Sequence, residues 1–427
     1  MAREAPLLTA ADFLADLQRL HPAHSYALAV SGGPDSMGLL ALAGAAAREK
    51  AAPHFHVLSV DHGLRAEAKA EIAAVAAACA AFGLPHHMLT ADIALRDSDI
   101  QHQARLLRYR LMAAWCADDA MPLVTAHHIC DQAETVAMRL AHGSGPDGLA
   151  AMAPSQNLMT DAGSLLVLRP FLDRQPDLLA AAAKAENLSW SDDPSNRNTD
   201  FERVRWRQKM PQMAEAGLTV DVLSDLARDM RALRTARDAR LHDWLLSYAD
   251  WHDYGVLTLP RAPLLALPEA LRMALLGAIV RYFGAHTYKP RRTALAGFVA
   301  SLSADDAGAT VLGGVLMRWR KKQVFIGREL AALEAQSPPD KTRIWDGRFD
   351  MPTLAEGHFV APLGRQGVQH LRDAGVSFDK TVPSAYHAVL PGIFDENGLC
   401  SCPPVQPKTE IGGRCVSSQH LFSWLLQ

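Results

Sequence analysis

The sequence predicts an α/β protein: a doubly wound, mostly parallel sheet, then a mainly helical middle domain and a small mixed or β-rich C-terminal domain. Three observations carry that prediction. Residues 25 to about 180 alternate short apolar runs with alanine-rich stretches at helical spacing. The glycine pair Gly32-Gly33 directly follows the first apolar run. Beyond Leu218 the texture changes, first to long polar helix and then to Gly/Pro-rich segments.

Taken in order, 26–30, 55–60, 86–90, 123–126 and 165–168 read as buried strands, and 37–48, 66–82 and 101–117 as the helices among them. Regular alternation implies βαβ units with helices on both faces. A ligand then sits beyond the C-terminal strand ends, at loops 31–36, 61–65, 127–134 and after 169. A long helix is expected over 219–251, with Arg228, Arg231, Arg234, Arg237 and Arg240 at a three-residue step. That step drifts around a helix, so a solvated basic face competes with an RNA contact. More helix is expected to about 302, then a β-like pair at 310–318 and 323–328. The proline break Gln336-Ser337-Pro338-Pro339-Asp340-Lys341 reads as a linker.

At 427 residues the chain suits two or three domains, and 49% apolar with 21% charged residues allows real cores. A net charge of −3 excludes a globally basic nucleic-acid binder, so any polyanion site must use local basic patches. Six cysteines show no framework spacing, and Cys400-Ser401-Cys402 is neither a zinc-ribbon nor a thioredoxin pair. Reduced thiols in a cytoplasmic protein are expected. The N-terminal stretch is too acidic for a signal peptide, and no apolar run nears the ~18 residues of a membrane span.

The chemistry starts at Ser31-Gly32-Gly33-Pro34-Asp35-Ser36. Two glycines let backbone approach an anion, and the amides and dipole of the following helix stabilise negative charge. No Gly-Lys-Ser/Thr follows, so the loop suits a pyrophosphate that departs rather than a transferred γ-phosphate. Asp35 is misplaced against bare phosphate and reads better as a ligand to bridging Mg²⁺. This strand–loop–helix resembles the PP-loop of ATP pyrophosphatases, which implies their adenine-nucleotide α-hydrolase-like sheet, ATP as substrate, and adenylation of an oxygen.

Further motifs follow in order: Val60-Asp61-His62-Gly63-Leu64-Arg65, His127-His128-Ile129-Cys130-Asp131-Gln132-Ala133-Glu134-Thr135, Gly143-Ser144-Gly145-Pro146-Asp147-Gly148-Leu149, Leu168-Arg169-Pro170-Phe171-Leu172, and Trp190-Ser191-Asp192-Asp193-Pro194-Ser195-Asn196. Together they resemble the tRNA(Ile)-lysidine synthase family over essentially the whole chain. The resemblance implies that free L-lysine is joined to C2 of the wobble cytidine of a tRNA(Ile) with a CAU anticodon. It implies a catalytic domain over 1–215, a helical tRNA-contacting domain over 216–335 and a small domain over 344–427. His62 and Arg65 join the loop as nucleotide-binding candidates. No membrane partner is implied, and a homodimer stays open. Two departures stand out. Cys130 replaces an acid common in the family, and Arg203-Val204-Arg205-Trp206-Arg207 replaces an Arg-Asn-Arg-Ile-Arg-like stretch.

Roles follow from chemistry. A carbonyl oxygen cannot leave as oxide, so C2 must first be adenylated. An amine of pKa ~10.4 is neutral in only about one molecule in 2,500 at pH 7, a deficit of roughly 4.6 kcal/mol. Asp131 and Glu134, three apart on one helix face, can hold lysine's charge or Mg²⁺, and either they or His128 can take the proton. Arg105 and Arg108 share a helix face and can contact phosphate. Arg203, Arg205, Arg207 and Lys209 surround Trp206, and Arg318, Arg320, Lys321 and Lys322 surround Trp319, as phosphate-neutralising, base-stacking patches. Arg205 is counted with the catalytic candidates. A sulfur-transferase would need paired C-x-x-C thiols, which the chain lacks. A small-molecule amidating ligase leaves the basic patches unexplained. An inactive RNA-binding relative would not need Ser31, Asp35, Ser36, Asp131 and Glu134.

Overall fold

The structure is a computed structural model, and it describes residues 7–49, 51–61, 67–90, 100–160, 162–191, 198–284, 290–334, 344–346, 348–351, 353–406 and 414–415. The expected linker at 336–341 lies outside them. The chain divides into two compact units, Met1–Arg234 and Thr235–Gln427.

In the first unit six strands form one sheet: β1 (Ser25–Ala29), β2 (His54–Asp61), β3 (His86–Thr90), β4 (Leu123–Val124), β5 (Ser155–Thr160) and β6 (Gly163–Leu168). Their order is β3-β2-β1-β4-β6-β5, all parallel except the β5–β6 pair. The five expected strands are present. β5, Ser-Gln-Asn-Leu-Met-Thr, is an edge strand whose polar residues give no apolar alternation to read.

Period-two alternation sends successive side chains to opposite faces. Tyr26, Leu28, Phe55, Val57 and Val124 join a core with α1 (Ala10–Leu20), α2 (Pro34–Ala46), α3 (Glu67–Phe82) and α7 (Pro176–Ala185). Ala27, Leu58, Leu123, Leu165 and Val167 instead face Tyr109, Met112 and Ala113 of α4 (Ile100–Cys116). The sheet is therefore covered on both sides, as a parallel sheet requires.

α2 is apolar all round because it is buried against α1, α3 and α7. Gly38 permits that closeness, since a Cβ there would collide with the Leu179 backbone of α7. A Cβ at Gly44 would strike the Phe82 ring.

Beside the sheet lie α5 (Ile129–Ala141), α6 (Pro146–Leu149), α8 (Glu202–Glu215) and the start of α9 (Val220–Tyr248). Ala133, Val136 and Ala137 of α5 pack against Leu223 and Ala227 of α9, with Trp206 and Met210 of α8 partly buried alongside.

The second unit holds more strand than its sequence suggests. β7 (Asp250–His252) and β8 (Val256–Pro260) interrupt the helix expected to about 302. The run at 310–318 is a hairpin of β9 (Gly308–Leu312) and β10 (Val315–Trp319), turning at Gly313 and Gly314, whose φ values are +57° and +69°. With β11 (Gln323–Arg328) these form an antiparallel sheet, β7-β8-β11-β10-β9. After α10 (Arg261–Ala266), α11 (Glu269–Phe283) and α12 (Arg292–Ala304) share its core.

The remainder carries α13 (Leu330–Glu334), α14 (Gly364–Asp373) and two three-stranded sheets. One joins β12 (Ile344–Trp345), β13 (Phe349–Asp350) and β17 (Arg414–Cys415). The other joins β14 (Phe359–Pro362), β15 (Pro391–Asp395) and β16 (Gly398–Ser401).

Asp346 of this unit sits between two arginines. Its oxygens lie 3.2 Å from Arg328 Nε and 2.7 Å from Arg348 Nη2, with all three side chains at most 3% exposed. Glycines make room for both guanidiniums: a Cβ at Gly255 would come within 2.9 Å of Arg348, and one at Gly314 within 3.1 Å of Arg328.

Candidate functional site

In the sheet order, β1 has its sequential neighbour β2 on one side and β4 on the other. The strand order reverses between β1 and β4, which stay parallel, and a doubly wound sheet has its crevice at that switch point, beyond the strand ends. The loop after β1 and the segment after β4 are its two walls.

The first wall is Ser31-Gly32-Gly33 leading into α2, with Pro34 at its first turn, where a missing N–H costs nothing. Gly32 has φ +88°, a conformation that favours glycine, and its missing side chain leaves space beside Glu71. Gly33 starts α2 without a side-chain cap, which leaves the helix-start amides for an anion. Ser36 Oγ donates to Gly33 O at 3.0 Å and accepts from Ser31 N–H at 3.2 Å, which fixes the loop. Ser191, from the last of the five motifs, donates its N–H to Gly32 O at 3.2 Å and its hydroxyl to Glu71 Oε1 at 3.1 Å. His62 and Arg65 lie outside the described residues, as do 192–196.

The second wall is the start of α5. His128 N–H donates to Asp131 Oδ2 at 3.0 Å, so the aspartate caps its own helix. His128 Nε2 lies 3.5 Å from Asp35 Oδ2 and 3.6 Å from Asp131 Oδ2, joining the two walls. Burial opposes protonation of His128, but the hydrogen bonds to Asp35 and Cys130 and the charge of Asp131 outweigh it and raise its pKa to about 10. His128 is therefore an imidazolium at neutral pH. The preceding His127 is its opposite. Burial pushes it down to about 3 against the charge of Asp131, with Arg169, Arg203 and Arg105 adding to the depression, and its Nδ1 lies 2.7 Å from Thr125 Oγ1.

The acids of α5 are met by α8. Arg203 Nε donates to Glu134 Oε2 at 2.7 Å and its Nη2 to Asp131 Oδ1 at 2.7 Å. Arg207 Nε donates to Glu134 Oε1 at 2.6 Å. Glu134 is 2% exposed, whereas Arg203 and Arg207 are 34% and 48% exposed. Burial resists ionisation of Asp131, but Arg203 and the His128 imidazolium, with the His128 backbone N–H, hold its carboxyl below the usual range. Three carboxylates (Asp35, Asp131, Glu134) thus face three cations (His128, Arg203, Arg207).

Arg205 is not brought to this cluster. Its guanidinium donates to the carbonyls of Thr199 and Asp200, both at 2.8 Å, because helix residues two apart point to different sides. The i, i+4 spacing of Arg203 and Arg207 was the available signal for the pair that does meet Glu134. Other residues that the sequence singles out are held by backbone carbonyls or a ring. Gln132 exchanges two hydrogen bonds with the Met152 backbone, at 2.8 and 2.9 Å, and Arg231 donates to the carbonyls of Ala150 and Met152. Arg169, 2% exposed, donates to Ala153 O at 2.8 Å. Arg105 lies over the Tyr109 ring at 5.2 Å.

Neither tryptophan of the basic patches is an open stacking surface. Trp206 is partly buried against α5 and α9, with Lys209 over its ring at 5.2 Å. Trp319 is 5% exposed and donates Nε1–H to Asp305 O at 3.0 Å. Strand alternation keeps Arg318 exposed on β10, and the following Arg320 is exposed as well. Among the described residues no helix is long and apolar enough to cross a membrane.

Comparison with known proteins gives the family. The family profile of the PP-loop domain matches residues 8–214. A tRNA(Ile)-lysidine synthase of Ruegeria pomeroyi is 35% identical over 353 residues, 82% of this chain and 81% of that one. The enzyme of the same name from Methylobacterium nodulans is 40% identical over 301 residues, 68% of this chain and 86% of that one. That of Anaplasma marginale is 32% identical over 348 residues, 79% and 72% of the two chains.

Proposed function

The chain belongs to the tRNA(Ile)-lysidine synthase family, and on that premise we propose how its residues share the reaction. It is an ATP-dependent ligase with a PP-loop nucleotide site. Its further substrates are free L-lysine and a tRNA(Ile) carrying a CAU anticodon, which places its work in the cytoplasm.

The cytidine O2 attacks the α-phosphorus of ATP and pyrophosphate leaves. Lysine's ε-ammonium gives up a proton to solvent by way of Asp131, and the free ε-amine forms the C2–N bond as the C2–O bond to AMP breaks. The loop from Ser31 to Ser36, with the amides of Gly32 and Gly33, holds the departing pyrophosphate. Asp35 is the residue suited to Mg²⁺: its carboxylate is 38% exposed, and oxygen donors match a hard cation. Bound there, Mg²⁺ would neutralise charge on the leaving pyrophosphate.

His128, already cationic, is a phosphate contact rather than the base. Asp131 takes the lysine ammonium, since each carboxylate oxygen can accept more than one hydrogen bond. Glu134, with both oxygens held by arginines, anchors Arg203 and Arg207 at the crevice for phosphate or RNA. Arg205 braces the chain at 199–200.

One observation supports this division above all: His128 Nε2 lies within 3.6 Å of both Asp35 and Asp131, so the pyrophosphate loop and the acid-bearing helix share one crevice. The test is incorporation of labelled lysine into a tRNA(Ile) transcript, with AMP formation followed in parallel. Asp35→Ala should abolish tRNA-dependent AMP formation while tRNA affinity stays within about twofold. Undiminished turnover in that variant would sink the loop assignment.

A further inference from the structure

Far along the chain from the nucleotide loop, β14, β15 and β16 bring together three residues of different chemistry. His358 immediately precedes β14, Asp395 ends β15, and Cys400 lies in β16. Pairing of Phe359 with Phe394, and of Asp395 with Gly398, sets the three side by side across adjacent strands. One ligand atom from each, a ring nitrogen, a carboxylate oxygen and the thiol sulfur, lies within 4.8 Å of the others.

We propose that His358, Asp395 and Cys400 form a binding site for a borderline-soft divalent cation, zinc above all, with a fourth position open to solvent or another ligand. Imidazole, carboxylate and thiolate in one site suit zinc and not magnesium or calcium, which take oxygen donors. The edges of a tetrahedral zinc shell are roughly 3.3–3.8 Å, so the three atoms need to draw in by about 1 Å. The site is part-formed already. Asp395 Oδ1 accepts the N–H groups of Asn397 and Gly398 at 2.7 and 3.0 Å, which orients the carboxylate, and the same carboxylate hydrogen-bonds the Cys400 thiol whose proton a metal would displace. Cys400 is exposed, while Cys402 is fully buried in the core, so the C-x-C pair cannot chelate as a unit and Cys400 is left to partners across the sheet. The cation displaces the thiol proton to solvent on binding, with no change of oxidation state.

The test uses the full chain, reduced and stripped of metal with a chelator, titrated with Co²⁺ as a spectroscopic substitute for Zn²⁺. A near-ultraviolet thiolate-to-cobalt charge-transfer band should grow to one equivalent and disappear when Zn²⁺ is added. Cys400→Ser should remove that band. His358→Gln and Asp395→Asn, the latter keeping the turn acceptor, should each weaken Co²⁺ binding roughly tenfold or more. Lysine incorporation should be unchanged in all three variants, which separates this site from the ligase reading. Absence of the band in the wild type, or its survival in Cys400→Ser, overturns the site.

Discussion

Glu134 in the first unit and Asp346 in the second are each held between two arginines, but the two triads meet water differently. Around Asp346 all three side chains are 2–3% exposed, and glycines shape the cavity for both guanidiniums. Around Glu134 the carboxylate is buried while its arginines are 34% and 48% exposed and face the crevice. A sealed triad has no partner left to gain and serves the fold. A half-open one presents fixed, partly desolvated positive charge to an incoming anion, which is how a binding wall is built.

That contrast can be broken by substitution. Asp346→Ala strands two buried guanidiniums and should cost about 3–5 kcal/mol of unfolding free energy in denaturant titration. An unchanged midpoint would mean that the sealed triad is not structural. Glu134→Gln frees two arginines that water can still reach, so the loss should be only about 1–2 kcal/mol. AMP formation and lysine transfer should fall together, because the whole wall loosens. Asp131→Asn should instead raise the KM for lysine about tenfold and leave AMP formation within about threefold. Equal loss of both steps in Asp131→Asn would return that residue to the nucleotide.

The pH dependence sharpens the same point. His128 has its folded pKa raised to about 10 from an ordinary 6.5. Its contribution to stability is therefore complete below about pH 6.5 and is lost as pH rises through about 10. Between pH 7 and 9 the wild type should lose up to ~1.4 kcal/mol per pH unit more than His128→Gln. Parallel pH profiles would remove the imidazolium from the crevice.

The smallest effect concerns the surface of the second unit. Neutralising Arg318, Arg320 and Lys321 should reduce the slope of log K against log salt for tRNA by up to about 2–3, at ~0.7–0.9 per contact. An unaltered slope would leave these residues a solvated face.

Much of this was legible in the sequence, for identifiable reasons. Strands buried on both faces announce themselves as apolar runs, and Gly32-Gly33 after the first run marks the nucleotide loop. β5 was not legible because an edge strand of Ser, Gln, Asn and Thr lacks alternation. Nor was the split of 310–318 into two strands, although Gly313-Gly314 was the signal for it. In the site, composition grouped Arg203, Arg205 and Arg207, and only helical phase separates the outer two from the middle one. Trp319 reads as an interleaved aromatic in a basic run, yet strand alternation makes it core. The His358, Asp395 and Cys400 cluster is invisible to spacing because strand pairing, not proximity in sequence, assembles it.

Gly38 gives the nucleotide loop a point of leverage outside the site. It lies one helical turn past Pro34, where α2 touches the α7 backbone. A methyl group there would act as a wedge. With its other end confined by Phe82 at Gly44, α2 would pivot, and Asp35 and Ser36 would swing with it. A screen for lost activity would then rank position 38 with the catalytic residues, though no atom of it meets a substrate.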